Sequence, residues 1–83
     1  DRIERAISAL EEAALIDPEN ALVHYNLACY FSLAGDADMA LHELGKASHV
    51  DVHYLNLVKD ELDFDPIRDD PRLALMISEL LAP

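Results

Sequence analysis

The sequence has few of the residues that disulfides, strands and membrane spans require. Among its 83 residues there are two glycines, no tryptophan and one cysteine, Cys29. A single cysteine cannot form an internal disulfide, so nothing indicates an oxidising compartment and a cytoplasmic location is the default expectation. No apolar run approaches the roughly 18 to 20 residues of a membrane span, and no secretory signal opens the chain. We therefore expect a soluble, all-α domain.

Basic residues are also scarce. Six Lys and Arg stand against 17 Asp and Glu, which gives a formal net charge of −11. Such a charge disfavours nucleic acid and anionic membranes as ligands, because both are themselves negative. A protein or peptide partner of neutral or basic character fits the composition better.

Apolar residues recur at helical spacing along most of the chain. Asp1, Asn20 and Asp70 are placed to cap helix starts, and Gly35 can adopt the left-handed conformation that closes a helix. We predict about five helices, which run from Arg2 to Ile16, from Ala21 to Gly35, from Asp36 or Ala37 to about Ser48, from Asp51 to Leu62 and from Pro71 to Leu81. The segment from Asp63 to Asp69 is predicted to be a polar turn. Gly45 lies inside a predicted helix, at a cost of ~1 kcal/mol relative to alanine, and we expect a close helix approach there.

The second and third predicted helices form a hairpin over Ala21 to Ala47 that resembles a tetratricopeptide repeat. The consensus positions of that repeat fall at His24, Leu27, Ala28, Phe31, Ala40 and Leu44, and all of them except His24 carry residues that fit. A shift by the 34-residue period of the repeat pairs identical residues, namely Ala6 with Ala40, Leu10 with Leu44, Ala13 with Ala47 and Asp17 with Asp51. The chain departs from the consensus at His24, where a large aromatic residue is usual, and at Val52, where proline is usual.

The segment from Leu62 to Arg72 resembles the ending that follows the last repeat in many bacterial tetratricopeptide proteins. The resemblance implies a single domain in three parts, with 1–17 as the second helix of a preceding repeat, 20–50 as a full repeat and 51–83 as a degenerate repeat with a capping helix. The register of the repeat after Asp51 remains open. We expect the sequence to be a piece of a longer protein, since it starts within a repeat.

In tetratricopeptide arrays the first helix of each hairpin lines a concave face, and this resemblance implies a partner-binding role for the second and fourth helices. The predicted partner-binding residues are Leu22, Tyr25, Asn26, Cys29, Ser32, Leu33, Asn56 and Lys59. The alternative is that they pack against a neighbouring helix of the full protein. Family members that bind acidic C-termini use lysines and arginines on this face, and Lys59 is the only one here.

Two clusters of potential metal ligands do not match metal-site patterns. The acids between Asp60 and Asp70 lack the alternation, the central glycine and the closing glutamate of an EF-hand loop. His49 and His53 are four residues apart, but a predicted helix break separates them. His24 is predicted to be a packed histidine with one hydrogen bond. Cys29 has no basic neighbour that would activate a thiol, and no nucleophile or phosphate-loop pattern is present, so we predict no catalytic residues, no cofactor and no metal.

Two functions from different classes remain. The first is a scaffold that binds a partner on the concave face, which predicts an exposed mixed groove. The second is a structural solenoid cap or self-association module, which predicts that the groove is filled by residues of the chain itself. Because a repeat cannot bury its face alone, helix one is also expected to pair with a second copy through Ile3, Ile7, Leu10 and Ala14.

Overall fold

The computed structural model describes residues 1–82, which fold into helices without any strand. The elements are α1 Arg2–Ile16, α2 Ala21–Leu33, α3 Ala37–Val50, α4 His53–Val58, a 3₁₀ helix Leu62–Ile67 and α5 Pro71–Leu80. The predicted all-α class is confirmed, with the 3₁₀ helix as an additional element. None of the helices in this range has the length and hydropathy needed to cross a bilayer. The predicted third segment, 51–83, includes Pro83, which lies outside the described residues.

Side-chain caps fix the starts of four of the α-helices. In each case a carboxylate or amide oxygen accepts a hydrogen bond from a backbone N–H of the first turn, which would otherwise be unpaired. The bonds are Glu4 N to Asp1 at 2.9 Å, Val23 N to Asn20 at 3.2 Å, Met39 N to Asp36 at 3.1 Å and Arg72 N to Asp70 at 2.9 Å. The predicted caps at Asp1, Asn20 and Asp70 are confirmed.

The turn between α2 and α3 depends on Gly35. Its φ angle is +80°, a conformation that side-chain-bearing residues rarely adopt. The backbone N–H of Gly35 donates to the carbonyl of Ser32, and that of Asp36 donates to the carbonyl of Phe31, both at 2.9 Å. This pair of bonds is the Schellman motif, which satisfies two carbonyls at the end of α2 and directs the chain back into α3.

Helix α2 is the centre of the fold, because it packs against α1, α3 and the 3₁₀ helix. The hairpin of α2 and α3 supplies most of the interior, and Leu27, Ala28, Ala40 and Leu44 are completely buried. The remaining buried apolar residues are Tyr25, Cys29, Phe31, Leu41, Ala47, Leu55, Val58, Phe64, Ile67 and Leu73. All six positions that match the repeat consensus are therefore buried, although no family assignment follows from them.

The region after Asp51 differs from the prediction. Helix α4 has six residues instead of extending to Leu62, and the predicted polar turn contains the 3₁₀ helix. That helix buries Phe64 completely and Ile67 to 4% exposure. The guanidinium of Arg68 donates to the carbonyls of Val58 at 2.6 Å and Glu61 at 2.7 Å, which satisfies backbone groups where α4 stops.

Three smaller expectations also change. Apart from its chain neighbours and the local backbone of α3, a Cβ atom built on Gly45 would meet no heavy atom of residues 1–82 within 4 Å, so the expected close helix approach there is wrong. Helix α3 continues to Val50 instead of ending near Ser48, although the predicted break between His49 and His53 is present. On α5, helical spacing predicts that Leu73 and Leu80 both face inward. Leu73 is buried, whereas Leu80 is 50% exposed because it lies in the last turn.

Candidate partner-binding surface

The predicted partner-binding residues separate into a buried group and an accessible group. Tyr25 and Cys29 are each 6% exposed and Ser32 is fully buried, so these three take part in the packing of the chain. Asn26 is half-buried. The accessible members are Leu22, Leu33, Asn56 and Lys59.

The chain itself covers Tyr25. The ring centroid of Tyr25 lies 5.1 Å from that of Tyr54 on α4 and 5.7 Å from that of Phe64 in the 3₁₀ helix, at tilted angles that favour aromatic contact. Among residues 1–82, neither the Tyr25 hydroxyl nor the Ser32 hydroxyl has a hydrogen-bond partner. Aromatic packing therefore dominates the environment of Tyr25.

Two carboxylates lie near the Tyr25 and Cys29 side chains. Burial raises the pKa of the Cys29 thiol to about 12, and the negative charges of Asp63 and Glu61 add to the effect. Burial also raises the pKa of Tyr25 well above its usual range, with further contributions from Cys29 and Glu61. The pKa of Asp63 is raised as well, first by desolvation and then by Glu61. This side of the molecule is thus negative, and the thiol is not activated for nucleophilic chemistry.

Two leucines on one face of α2 remain exposed, and we call Leu22, Leu33 and the half-buried Asn26 the α2 strip. The three residues share one helical face with Cys29, since they follow one another at spacings of three or four residues. Leu22 is 53% exposed and Leu33 is 40% exposed. The α2 strip therefore combines two accessible leucines with one amide. The negative charges of Glu61 and Asp63 act on Cys29, which lies on the same helical face.

His24 is buried, as predicted, and it makes two hydrogen bonds instead of one. Its Nε2 lies 2.6 Å from the Pro18 carbonyl and its Nδ1 lies 3.2 Å from Oε2 of Glu43. A carbonyl can only accept, so Nε2 must carry a hydrogen. The contact with Glu43 needs one more hydrogen, on either the imidazole or the carboxyl group. In both arrangements the pair has no net charge, which explains how Glu43 can be only 6% exposed.

A second surface feature, which the sequence did not predict, is an open groove of about 800 Å³ between the end of α1 and one face of α3. We call it the α1–α3 groove. Its lining residues are Ala14, Leu15, Pro18, Glu19, His24, Leu41, His42, Gly45, Lys46, His49 and Val50. Lys46 lies at the edge of the groove, 3.6 Å from the buried carboxylate of Glu43. None of these residues belongs to the α2 strip.

The residues that could bind a metal do not assemble into a site. Within residues 1–82, no group of three or more His, Cys, Asp and Glu side chains is arranged to hold a metal ion. Two of the acids near the chain's end have other partners, since Asp65 binds Arg68 at 2.9 Å and Asp70 binds Arg72 at 2.8 Å.

Comparisons of this chain with protein-family models, with curated proteins and with solved structures found no match. The structure itself establishes an all-helical domain, and it is compatible with a helical repeat.

Proposed function

We propose that this chain is a protein-binding module built from tetratricopeptide-like hairpins, and that a neutral or basic peptide segment binds along the α2 strip. The observation that carries the proposal is that two exposed leucines share a helical face with Cys29, on whose thiol the charges of Asp63 and Glu61 act. Leu22 and Leu33 are accessible apolar contacts, and Asn26 between them can bond a peptide backbone as both donor and acceptor.

Charge complementarity selects the class of partner. Cys29 shares the helical face of the α2 strip, and the charges of Asp63 and Glu61 act on its thiol. A lysine or arginine of a bound peptide would meet these carboxylates, whereas an acidic peptide would be repelled by them and by the net charge of −11. Tyr25, Cys29 and Ser32 contribute as the packed support beneath the strip.

The test uses synthetic peptides of matched length that combine leucine with lysine, with neutral residues or with glutamate. The lysine peptide is expected to bind most tightly, and salt should weaken its binding. Leu33→Ser should reduce the affinity, while Leu75→Ser, which changes an exposed leucine on α5, should not. Asp63→Asn should weaken binding of the lysine peptide more than the control variant Asp17→Asn, which changes an acid between α1 and α2. Equal binding of all three peptides, or equal effects of the paired variants, would contradict the proposal.

A second candidate function, a structural cap or self-association module, has its own supporting observation. Tyr54 and Phe64 pack on Tyr25, so the chain fills part of the expected groove with its own residues. By contrast, no residue of Arg2–Ile16 in α1 is fully buried, and Ile3 and Ile7 remain half-exposed. This difference supports a module whose apolar surface is covered by its own residues on the α4 side and remains partly exposed along α1.

Sedimentation over a range of concentrations tests the second candidate. If α1 pairs with a second copy, a dimer should form, and Ile7→Glu should dissociate it more than Ser8→Glu, which puts the same charge on the exposed side of α1. A monomer at every concentration would exclude pairing through α1. Because Ile7 packs against the core, circular dichroism must first establish that the Ile7→Glu chain is folded.

A further inference from the structure

Two carboxylates at the start of the 3₁₀ helix have no cation beside them. Glu61 and Asp63 are both half-buried, and Oε1 of Glu61 accepts a hydrogen bond from the backbone N–H of Asp63 at 3.3 Å. Among residues 1–82, neither carboxylate forms an ion pair with a lysine, an arginine or a histidine. Partial burial removes water that would stabilise their charges. A cation added at this position would therefore be stabilising.

The arginine of the same segment does not supply that cation. The guanidinium of Arg68 donates to the backbone carbonyls of Val58 and Glu61 and to the carboxylate of Asp65, so its donors are used on other acceptors. The segment from Lys59 to Asp70 contains two basic residues against six acids. Its charge is therefore negative even after Arg68 is counted.

A buried hydroxyl without a partner lies near the two carboxylates. The ring of Tyr25 packs on Phe64, the residue that follows Asp63, and among residues 1–82 its hydroxyl has no hydrogen-bond partner. Burial raises the pKa of Tyr25, and the charges of Cys29, Glu61 and Asp63 add to the effect. Buried hydroxyls are usually hydrogen-bonded, because an unmade bond costs free energy. The Tyr25 oxygen is thus an unused acceptor beside two unpaired anions.

The two carboxylates also destabilise each other's charge. Desolvation raises the pKa of Asp63, and the charge of Glu61 raises it further. A paired cation has the opposite effect on a carboxyl group, because it favours the charged form. Binding of a cation would therefore relieve a repulsion that the chain itself leaves in place.

We propose, on the basis of the proposed function, that the peptide on the α2 strip places one arginine at the junction of α2 and the 3₁₀ helix. The guanidinium pairs with Glu61 and Asp63 and donates to the Tyr25 hydroxyl, and we call these three residues the arginine site. Tyr25 lies one helical turn from Leu22, so one short peptide can contact both.

The surroundings of the arginine site favour a guanidinium over an ammonium ion. A guanidinium carries five N–H donors in one plane and is less strongly hydrated than an ammonium ion, which suits half-buried acids. It also stacks on aromatic rings. Tyr54 provides such a ring, since it is half-buried and its centroid lies 5.1 Å from that of Tyr25. Lysine should therefore bind more weakly than arginine.

The probes are three leucine-containing peptides of equal length that differ at one position, which is arginine, lysine or citrulline. Citrulline has nearly the shape of arginine but no charge. In titrations of the intact protein followed by NMR, the arginine peptide should bind about tenfold more tightly than the citrulline peptide, with lysine between them. The signals of Tyr25, Glu61 and Asp63 should shift with the arginine peptide.

Two variants with matched controls locate the site. Tyr25→Phe keeps the ring and removes a hydroxyl that has no partner, so the chain should fold, but its preference for arginine over citrulline should fall. Tyr30→Phe, the same change elsewhere on α2, should keep the preference. Asp63→Asn should remove most of the preference, while Asp60→Asn, at an exposed position of the same segment, should remove less. Equal effects within both pairs would overturn the proposal.

The titration of Asp63 provides a readout that a general loss of affinity would not move. Carboxyl-carbon NMR should show a lower pKa of Asp63 in the complex with the arginine peptide, because the guanidinium favours the charged form. The citrulline complex should leave this pKa raised. An unchanged pKa of Asp63 in the saturated arginine complex would overturn the proposal.

The arginine site and the α2 strip can fail separately. Equal binding of the arginine and lysine peptides, both tighter than citrulline, would exclude the arginine site and leave the proposed function intact. Butylguanidinium, which has no leucine, should shift Glu61 and Asp63 more than butylammonium does. That result without binding of any peptide would support the site and contradict the proposed function. Equal shifts with calcium chloride would indicate a general cation site and overturn the proposal.

Discussion

Nδ1 of His24 on α2 lies 3.2 Å from Oε2 of Glu43 on α3, and both side chains are removed from solvent. The contact joins residues 19 positions apart and fixes the two helices of the hairpin against each other. His24 also binds the Pro18 carbonyl at 2.6 Å, so one imidazole connects the α1–α2 link to α3.

The first prediction concerns this pair. Glu43→Ala should lower the free energy of unfolding by about 3 kcal/mol or more, because it leaves the buried imidazole without its partner. Replacing both residues, as His24→Phe with Glu43→Leu, should recover most of the loss, since an apolar pair needs no partner. Urea denaturation of a double-mutant cycle measures the coupling. Glu12→Ala on the exposed side of α1 is the control, and a Glu43→Ala value within about 0.5 kcal/mol of it would contradict the prediction.

The second prediction tests the centre of the core. Leu44 is fully buried, so Leu44→Asp puts an unpaired carboxylate among apolar side chains and should unfold a domain whose total stability is about 5 to 15 kcal/mol. The matched change Leu57→Asp, at a residue 52% exposed on α4, should leave the circular dichroism melt nearly unchanged. Similar melts for the two variants would mean that the buried face is assigned incorrectly.

The pH dependence of stability provides the third prediction. The pKa of Cys29 is about 12 in the folded chain and about 8.5 in an unfolded one, so the unfolded state releases its proton first. The contribution of the protonated thiol to stability is fully present below pH of about 8.5 and is lost as the pH rises toward 12. Tyr25, with its raised pKa, acts in the same direction at higher pH.

Urea denaturation between neutral and alkaline pH should therefore show a decline in stability that is shallower in Cys29→Ala. Thiol reagents should react slowly with the folded protein at neutral pH and quickly after denaturation, because Cys29 is buried and protonated. Fast modification of the folded chain would show that Cys29 is not buried.

The fourth prediction isolates the geometry of Arg68 from its charge. Arg68→Lys keeps the positive charge but cannot donate to the Val58 carbonyl, the Glu61 carbonyl and Asp65 together. We expect a loss of about 1.5 kcal/mol or more, because backbone carbonyls at the end of α4 lose a charged donor. The control Arg2→Lys, at an exposed position of α1, should leave the stability unchanged. An Arg68→Lys variant with unchanged stability would indicate that water replaces the guanidinium as the donor to these carbonyls.

Features with local causes could be predicted from the sequence. The bounds of α1, the caps at Asn20 and Asp70, and the reversal at Gly35 depend on residues within one turn of each other. The buried positions of the hairpin could be predicted equally well, because Leu27 and Leu44 fall at helical spacing on faces that a hairpin must bury.

Features that depend on distant residues could not be predicted. Phe64 and Ile67 lie among acids and a proline, and the local pattern favours a turn. In the structure Phe64 packs on Tyr25, and the segment is a 3₁₀ helix that buries both residues. In the sequence, Glu43 has no feature that distinguishes it from a solvent-exposed helix residue, and its contact with His24 is seen only in the folded structure. The α1–α3 groove arises from the relative placement of two helices, for which the sequence has no local signal.

The central position of α2 has a consequence for hydrogen exchange. An amide on α2 can exchange only when α1, α3 or the 3₁₀ helix moves away, so its slowest protons should report global unfolding. Helix α1, which packs with one half-buried face, can detach and exchange at a lower free energy. The amides of Leu27 and Ala28 should therefore outlast those of α1, and urea should bring the two sets together as local opening gives way to complete unfolding.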